Sequence, residues 1–200
     1  MPESSWMLAR LKEETRFHHV TANADRLSLL SGSGGLDCYR NYLVRIYGFE
    51  APVESAMMMT LGLPDEIDLR ARTKIRLLKH DLQALGVVDT THLPRCTISQ
   101  LRGVPEALGW MYVIDHNALV HGLVRKYVAQ KLPFDQAQIA LYLSAHDYEG
   151  GARWRELGDA LDRIGPAANH ADRIISAAHL AFRRQRHWYE LALPPSVRVA

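Results

Sequence analysis

The sequence predicts an all-α chain folded as a single multi-helical domain, and three observations carry that prediction. Apolar residues recur at intervals of three and four through most of the chain, the period of an amphipathic helix. No segment alternates apolar and polar residues with β-branched enrichment, so no strand is expected. No internal repeat or shift in composition marks a second unit, and 200 residues, 48% of them hydrophobic, suffice for one sizeable core.

The first helix is expected from a candidate N-cap at Ser4 or Ser5 to about position 30, ended by the Ser-Gly-Ser-Gly-Gly run at 31–35. That run is a linker, because no Gly-Lys-Ser/Thr follows to make it a phosphate loop. A second helix starts near 36–37 and runs toward Thr60, with Pro52 expected to bend or divide it. A third covers about 67–85 and stops at Gly86. Residues 87–103 connect, with a short turn expected near Ile98. Pro105 fits the first turn of a fourth helix reaching about Lys131. A fifth covers 134–148. The joint Glu149-Gly150-Gly151 leads into a sixth that ends near Gly165-Pro166, and a seventh spans 167–191.

Composition excludes several classes of function. A net charge of +2, with ten histidines left out, gives no basis for general nucleic-acid binding. Cys38 and Cys96 form no C-x-x-C, so neither a zinc site nor a redox dithiol is signalled, and a reduced cytoplasmic setting is expected. The first ten residues lack the basic and apolar regions of a signal peptide. No run of about 18 apolar residues is present, so no membrane span is expected.

Two helices carry chemistry on otherwise apolar faces. On the first, Leu8, Leu11, Thr15, His19 and Ala22 share one face. A histidine in such a position is ordinarily a packed core residue with one hydrogen bond. The fourth helix is apolar nearly all round, with Leu108, Met111, Tyr112, Leu119 and Gly122 on one side and Trp110, Val113, Val120 and Val124 on the other. Such a helix is central and buried. Its polar exceptions, Asp115, His116, Asn117 and His121, therefore need partners. His116, Asn117, Val120 and His121 form one continuous arc.

Five segments resemble, in order, those of the heme oxygenase family. Leu11-Lys12-Glu13-Glu14-Thr15-Arg16-Phe17-His18-His19-Val20-Thr21-Ala22 resembles the first helix that carries the proximal iron ligand. Tyr47-Gly48-Phe49-Glu50-Ala51-Pro52-Val53-Glu54 is similar to YGFxAPxE, and Lys79-His80-Asp81-Leu82-Gln83-Ala84-Leu85-Gly86 to LxxDLxALG. Ala107-Leu108-Gly109-Trp110-Met111-Tyr112-Val113-Ile114 is similar to ALGWLYVLE. Tyr148-Glu149-Gly150-Gly151-Ala152-Arg153-Trp154 is similar to a slightly longer YGxxxGxxW.

The resemblance implies a heme oxygenase-like helical bundle holding heme b, both cofactor and substrate, between the first helix and the distal, fourth helix. It implies oxygen-dependent cleavage of heme to biliverdin, carbon monoxide and iron. Electrons would come from an external reductase or ferredoxin-type donor, with a phytochrome as candidate bilin acceptor. It makes His19 the proximal iron ligand, with an orienting acceptor to be found among Glu13, Glu14 and Asn23. Lys12 and Arg16 match basic positions expected to meet the propionates, with Tyr112 and Arg153 or Arg155 as further candidates.

The chain departs from the family where EGSTLGG would line the distal face. Asp115-His116-Asn117-Ala118-Leu119-Val120-His121 stands there, with Gly122 one place late. Side chains replace bare backbone at His116, Val120 and His121, while Asn117 keeps a polar, water-binding character. Either the distal helix retreats, or His116 or His121 binds the iron opposite His19. The second arrangement makes a bis-histidine heme that carries or senses rather than degrades. A di-iron oxidase is a poorer match, because no Glu-x-x-His occurs even though Glu50 and Glu54 lie one turn apart. A bundle whose ancestral pocket has filled would bind no heme at all.

Overall fold

The computed structural model describes residues 5–31, 35–131, 140–145 and 150–192. Among them the chain is all-helical: α1 (Trp6–Glu14), α2 (Arg16–Ser28), α3 (Leu36–Met58), α4 (Leu69–Arg72), α5 (Ile75–Ala84), α6 (Val104–Asn117), α7 (His121–Lys131), α8 (Leu141–Ser144), α9 (Gly150–Ile164) and α10 (His170–Glu190). A 3-10 turn, Ala118–Val120, joins α6 to α7.

The expected first helix is two helices meeting at Thr15. The Thr15 hydroxyl and backbone N–H both bond the Leu11 carbonyl, at 2.6 and 2.9 Å. Such back-bonding by a threonine bends a helix. Ser5 caps α1 by accepting from the Leu8 N–H at 3.1 Å, and its hydroxyl donates to Asp162 on α9 at 2.8 Å, which seats α1 against α9.

α3 runs through Pro52 without dividing. Proline lacks the N–H that would bond the Gly48 carbonyl, and the N–H of Cys96 takes that carbonyl instead at 2.8 Å. Gly48 permits the contact, since a Cβ there would lie 2.6 Å from the Pro94 carbonyl and 2.4 Å from the Trp188 ring. The freed carbonyl thus pins the connecting stretch 87–103, which has no helical turn near Ile98.

The expected third helix is interrupted at Thr73–Lys74. Asp68 caps α4 through the N–H groups of Arg70 and Ala71. The Lys74 N–H then leaves the helical ladder to donate to Glu54 on α3 at 2.8 Å. Gly150 and Gly151 begin α9 rather than forming a joint before it. Of the expected fifth helix, only Leu141–Ser144 is helical within the described residues; positions 134–139 and 146–148 lie outside them.

α6 is the central element, buried continuously from Ala107 to Asn117. It packs most closely along α10. A Cβ on Gly109 would stand 2.4 Å from the Ile174 carbonyl and 2.8 Å from the Ala177 Cβ, so glycine and alanine together set this short interaxial approach. α2, α3 and α9 pack around this pair. No described helix is long and apolar enough to cross a membrane.

Candidate functional site

α1, α2, α6, the 3-10 turn and α9 enclose a cavity of about 810 Å³, within the range of sites that bury a whole small-molecule ligand. Its walls are mixed. Leu8 and Ala9 of α1, Leu119 of the turn and Trp154 of α9 supply apolar surface; Lys12, Arg153 and Arg155 supply positive charge; His19, Tyr112, Asp115 and His116 supply directed polar groups.

His19 reaches the wall because it lies one turn beyond Thr15 on the inward face of α2. Its Nε2 is 2.9 Å from the Thr15 hydroxyl and 2.9 Å from the Tyr112 hydroxyl. The Thr15 proton is committed to the Leu11 carbonyl. A protonated Nε2 therefore donates to Thr15, and an unprotonated one accepts from Tyr112. Burial lowers the His19 pKa, with His18 and Lys12 adding repulsion. Burial likewise raises Tyr112 to about 12. At neutral pH the site presents a neutral imidazole and an intact phenol.

The His116 ring stacks on that of His19, with centroids 4.2 Å apart and planes at 24°. Phe182 of α10 backs both rings at 5.6 Å. Burial first, then His19 and Arg26, push His116 down to about 3, so it too is neutral. Its Nδ1 is buried without a hydrogen-bond partner. Neutral imidazole nitrogens are the form that binds a metal.

Asp115 enters the wall through a buried pair with Arg72, 2.5 Å from Nη1 to Oδ2. Arg72 also donates to the Arg153 carbonyl at 2.6 Å and to Glu156 at 3.0 Å, while Arg153 returns a bond to the Ala71 carbonyl at 2.7 Å. One guanidinium thus ties α4 to α6 and α9. Arg72, Thr15 and Trp154 were not foreseen as site residues. Only Asp115 carried a signal, as a charge on an apolar helix.

The other expected residues lie elsewhere. Arg16 is exposed, paired with Glu13 at 2.9 Å and lying over the Phe17 ring. Glu13 and Glu14 engage Arg16 and Arg10 rather than His19, and no bond joins His19 to Asn23. Asn117 forms a reciprocal amide pair with Gln185 of α10 at 2.8 and 3.1 Å. Val120 is buried outside the cavity wall. His121 points into a second polar cluster, with Nε2 3.3 Å from Arg26 and its ring 4.7 Å from that of Tyr142. Of the two candidate sixth ligands, His116 alone faces the cavity. Glu50 and Glu54 are spent on Arg26, Tyr142 and the Lys74 N–H. No group of three metal-ligating side chains occurs among the described residues.

A family model described as heme oxygenase matches residues 5–190. A comparison with curated proteins finds no match. Among solved structures, the NO- and CO-bound heme oxygenase from Neisseria meningitidis has the same fold, with a TM-score of 0.70, 21% identity and 93% of each chain covered.

Proposed function

The chain belongs to the heme oxygenase family, and from that premise we propose that it binds heme in the α1–α2–α6–α9 cavity through His19 and cleaves it with oxygen to biliverdin, carbon monoxide and iron. The observation that supports this reading is the meeting of a neutral, inward-facing His19 with apolar walls and a cationic rim in one cavity of about 810 Å³. The residues fit the group. His19 offers an imidazole nitrogen to iron, Leu8, Leu119 and Trp154 cover the macrocycle, and Lys12, Arg153 and Arg155 suit its carboxylates. Heme, when bound, is both the source of the oxidising chemistry and the molecule consumed, with electrons from an external reductase or ferredoxin-type donor.

The protein's contribution is position and exclusion of water. In the heme-free chain Thr15 and Tyr112 hold the His19 ring at the cavity wall through the same Nε2 that iron would take. Arg72 fixes Asp115 at the wall. Handing bilin to a phytochrome belongs to this reading by kinship.

His116 favours a second reading. A neutral His116 beside His19 on the cavity wall would offer iron a second imidazole, and a heme held by both would carry or sense rather than degrade. Hemin titration followed by a single turnover with ascorbate separates the two. A one-histidine, water-ligated spectrum with biliverdin formed supports cleavage. A low-spin spectrum with no bilin, restored to turnover by His116→Ala, supports the second. His19→Ala is expected to abolish the wild-type heme spectrum under both, and an unchanged spectrum overturns the assignment of His19.

A further inference from the structure

The imidazoles of His18 on α2 and His179 on α10 meet at the surface, outside the cavity wall. His18 Nε2 lies 3.0 Å from His179 Nδ1, and the ring centroids are 5.1 Å apart with planes at 65°. Both rings are partly exposed. His18 is fixed from below by stacking on Phe182, with centroids 5.3 Å apart and planes at 10°.

We propose that His18 and His179 chelate a borderline divalent cation, such as Zn²⁺, between α2 and α10. Zinc holds imidazole nitrogens at about 2.0–2.1 Å, so two nitrogens sharing one tetrahedral ion lie about 3.3 Å apart. At right-angled coordination, as copper(II) favours, the same bond lengths give about 2.9 Å. The observed 3.0 Å falls between these, so the two nitrogens already stand at bite distance, and an ion bound off their line asks each ring to tilt rather than either helix to move. Both ring nitrogens are competent ligands in the neutral imidazole.

Arg183 and Arg186 are the cations whose charge bears on His18. The two arginines repel a cation, but both are exposed, where water and salt screen them. No third histidine, cysteine or carboxylate joins the pair among the described residues, so water completes the shell and the ion exchanges readily.

Calorimetric titration of the heme-free chain with Zn²⁺ tests this. One ion per chain is expected, with affinity falling about tenfold or more in His18→Asn and His179→Asn and unchanged in His116→Asn. Zn²⁺ is also expected to raise the Tm of the wild type and not that of His179→Asn, whose Tm without metal reports its folding. Unchanged affinity in His179→Asn, or loss in His116→Asn, overturns the proposal. Hemin titration of His179→Asn reports separately on the cavity, so either reading can fail while the other stands.

Discussion

A metal that takes His19 Nε2 must displace the Tyr112 hydroxyl, 2.9 Å away. The Thr15 hydroxyl meets the same nitrogen at 2.9 Å and is displaced with it, and a hydrogen bond of this kind contributes about 1 kcal/mol net, so removing the Tyr112 one in advance lowers the cost of ligation by about that much. Tyr112→Phe is therefore expected to tighten hemin binding by about fivefold in a spectroscopic titration. Weaker binding would instead place the hydroxyl on the heme itself. At this scale the sequence exposed His19 and His116, because each is a polar group on an apolar face. Thr15 escaped notice since a threonine on such a face looks like packing. On one continuous helix His121 already stands about 140° from His116. The 3-10 turn advances about 120° per residue instead of 100° and widens that angle by about 60°, which turns His121 toward Arg26 and Tyr142.

The α4–α5 break and the Arg72 clamp belong to the scale of elements, and neither is visible in a hydrophobic period. Positions 67–85 read as one helix because their apolar spacing is unbroken. Tertiary partners divide it, with Asp68 capping α4 and Glu54 drawing off the Lys74 N–H. The clamp then holds the α9 wall of the cavity. Removing one member of a buried ion pair strands the other charge, a loss of about 3–5 kcal/mol. Arg72→Met is expected to lose stability on that scale in urea denaturation, and Arg72→Met with Asp115→Asn to recover part of it. Additive losses would show that the pair is not energetically coupled. Pro52 shows the converse case. The sequence flagged it as a bend, but its consequence, a freed Gly48 carbonyl for Cys96, depends on a stretch more than forty residues away.

For the whole molecule, the class was legible because helical period and absent alternation are local signals, whereas the cavity is a product of packing. Buried ionisable groups give that packing a pH dependence. His116 is neutral when folded and free to protonate when unfolded, so its contribution is intact above 6.5 and lost as pH falls toward about 3. Glu54, raised to about 7 by burial, contributes stability that is present below 4.5 and lost as pH rises through about 7. Urea midpoints are expected to vary less with pH between 6.5 and 4 in His116→Gln than in the wild type. In Glu54→Gln the change is expected to lie between 4.5 and 7 and to have the opposite sign. Identical profiles in all three would remove both groups from the acid response. The paired imidazoles also bear on how fast a ligand is captured. A flat macrocycle needs van der Waals clearance of about 3.5 Å on each face, roughly 7 Å in all, and the rings of His19 and His116 stand only 4.2 Å apart. Under the two-histidine reading, hemin mixed rapidly with the protein waits for those rings to part before the macrocycle can come between them. The stopped-flow trace should then end in a slow phase whose rate levels off at high hemin, and replacing His116 by alanine should erase that plateau.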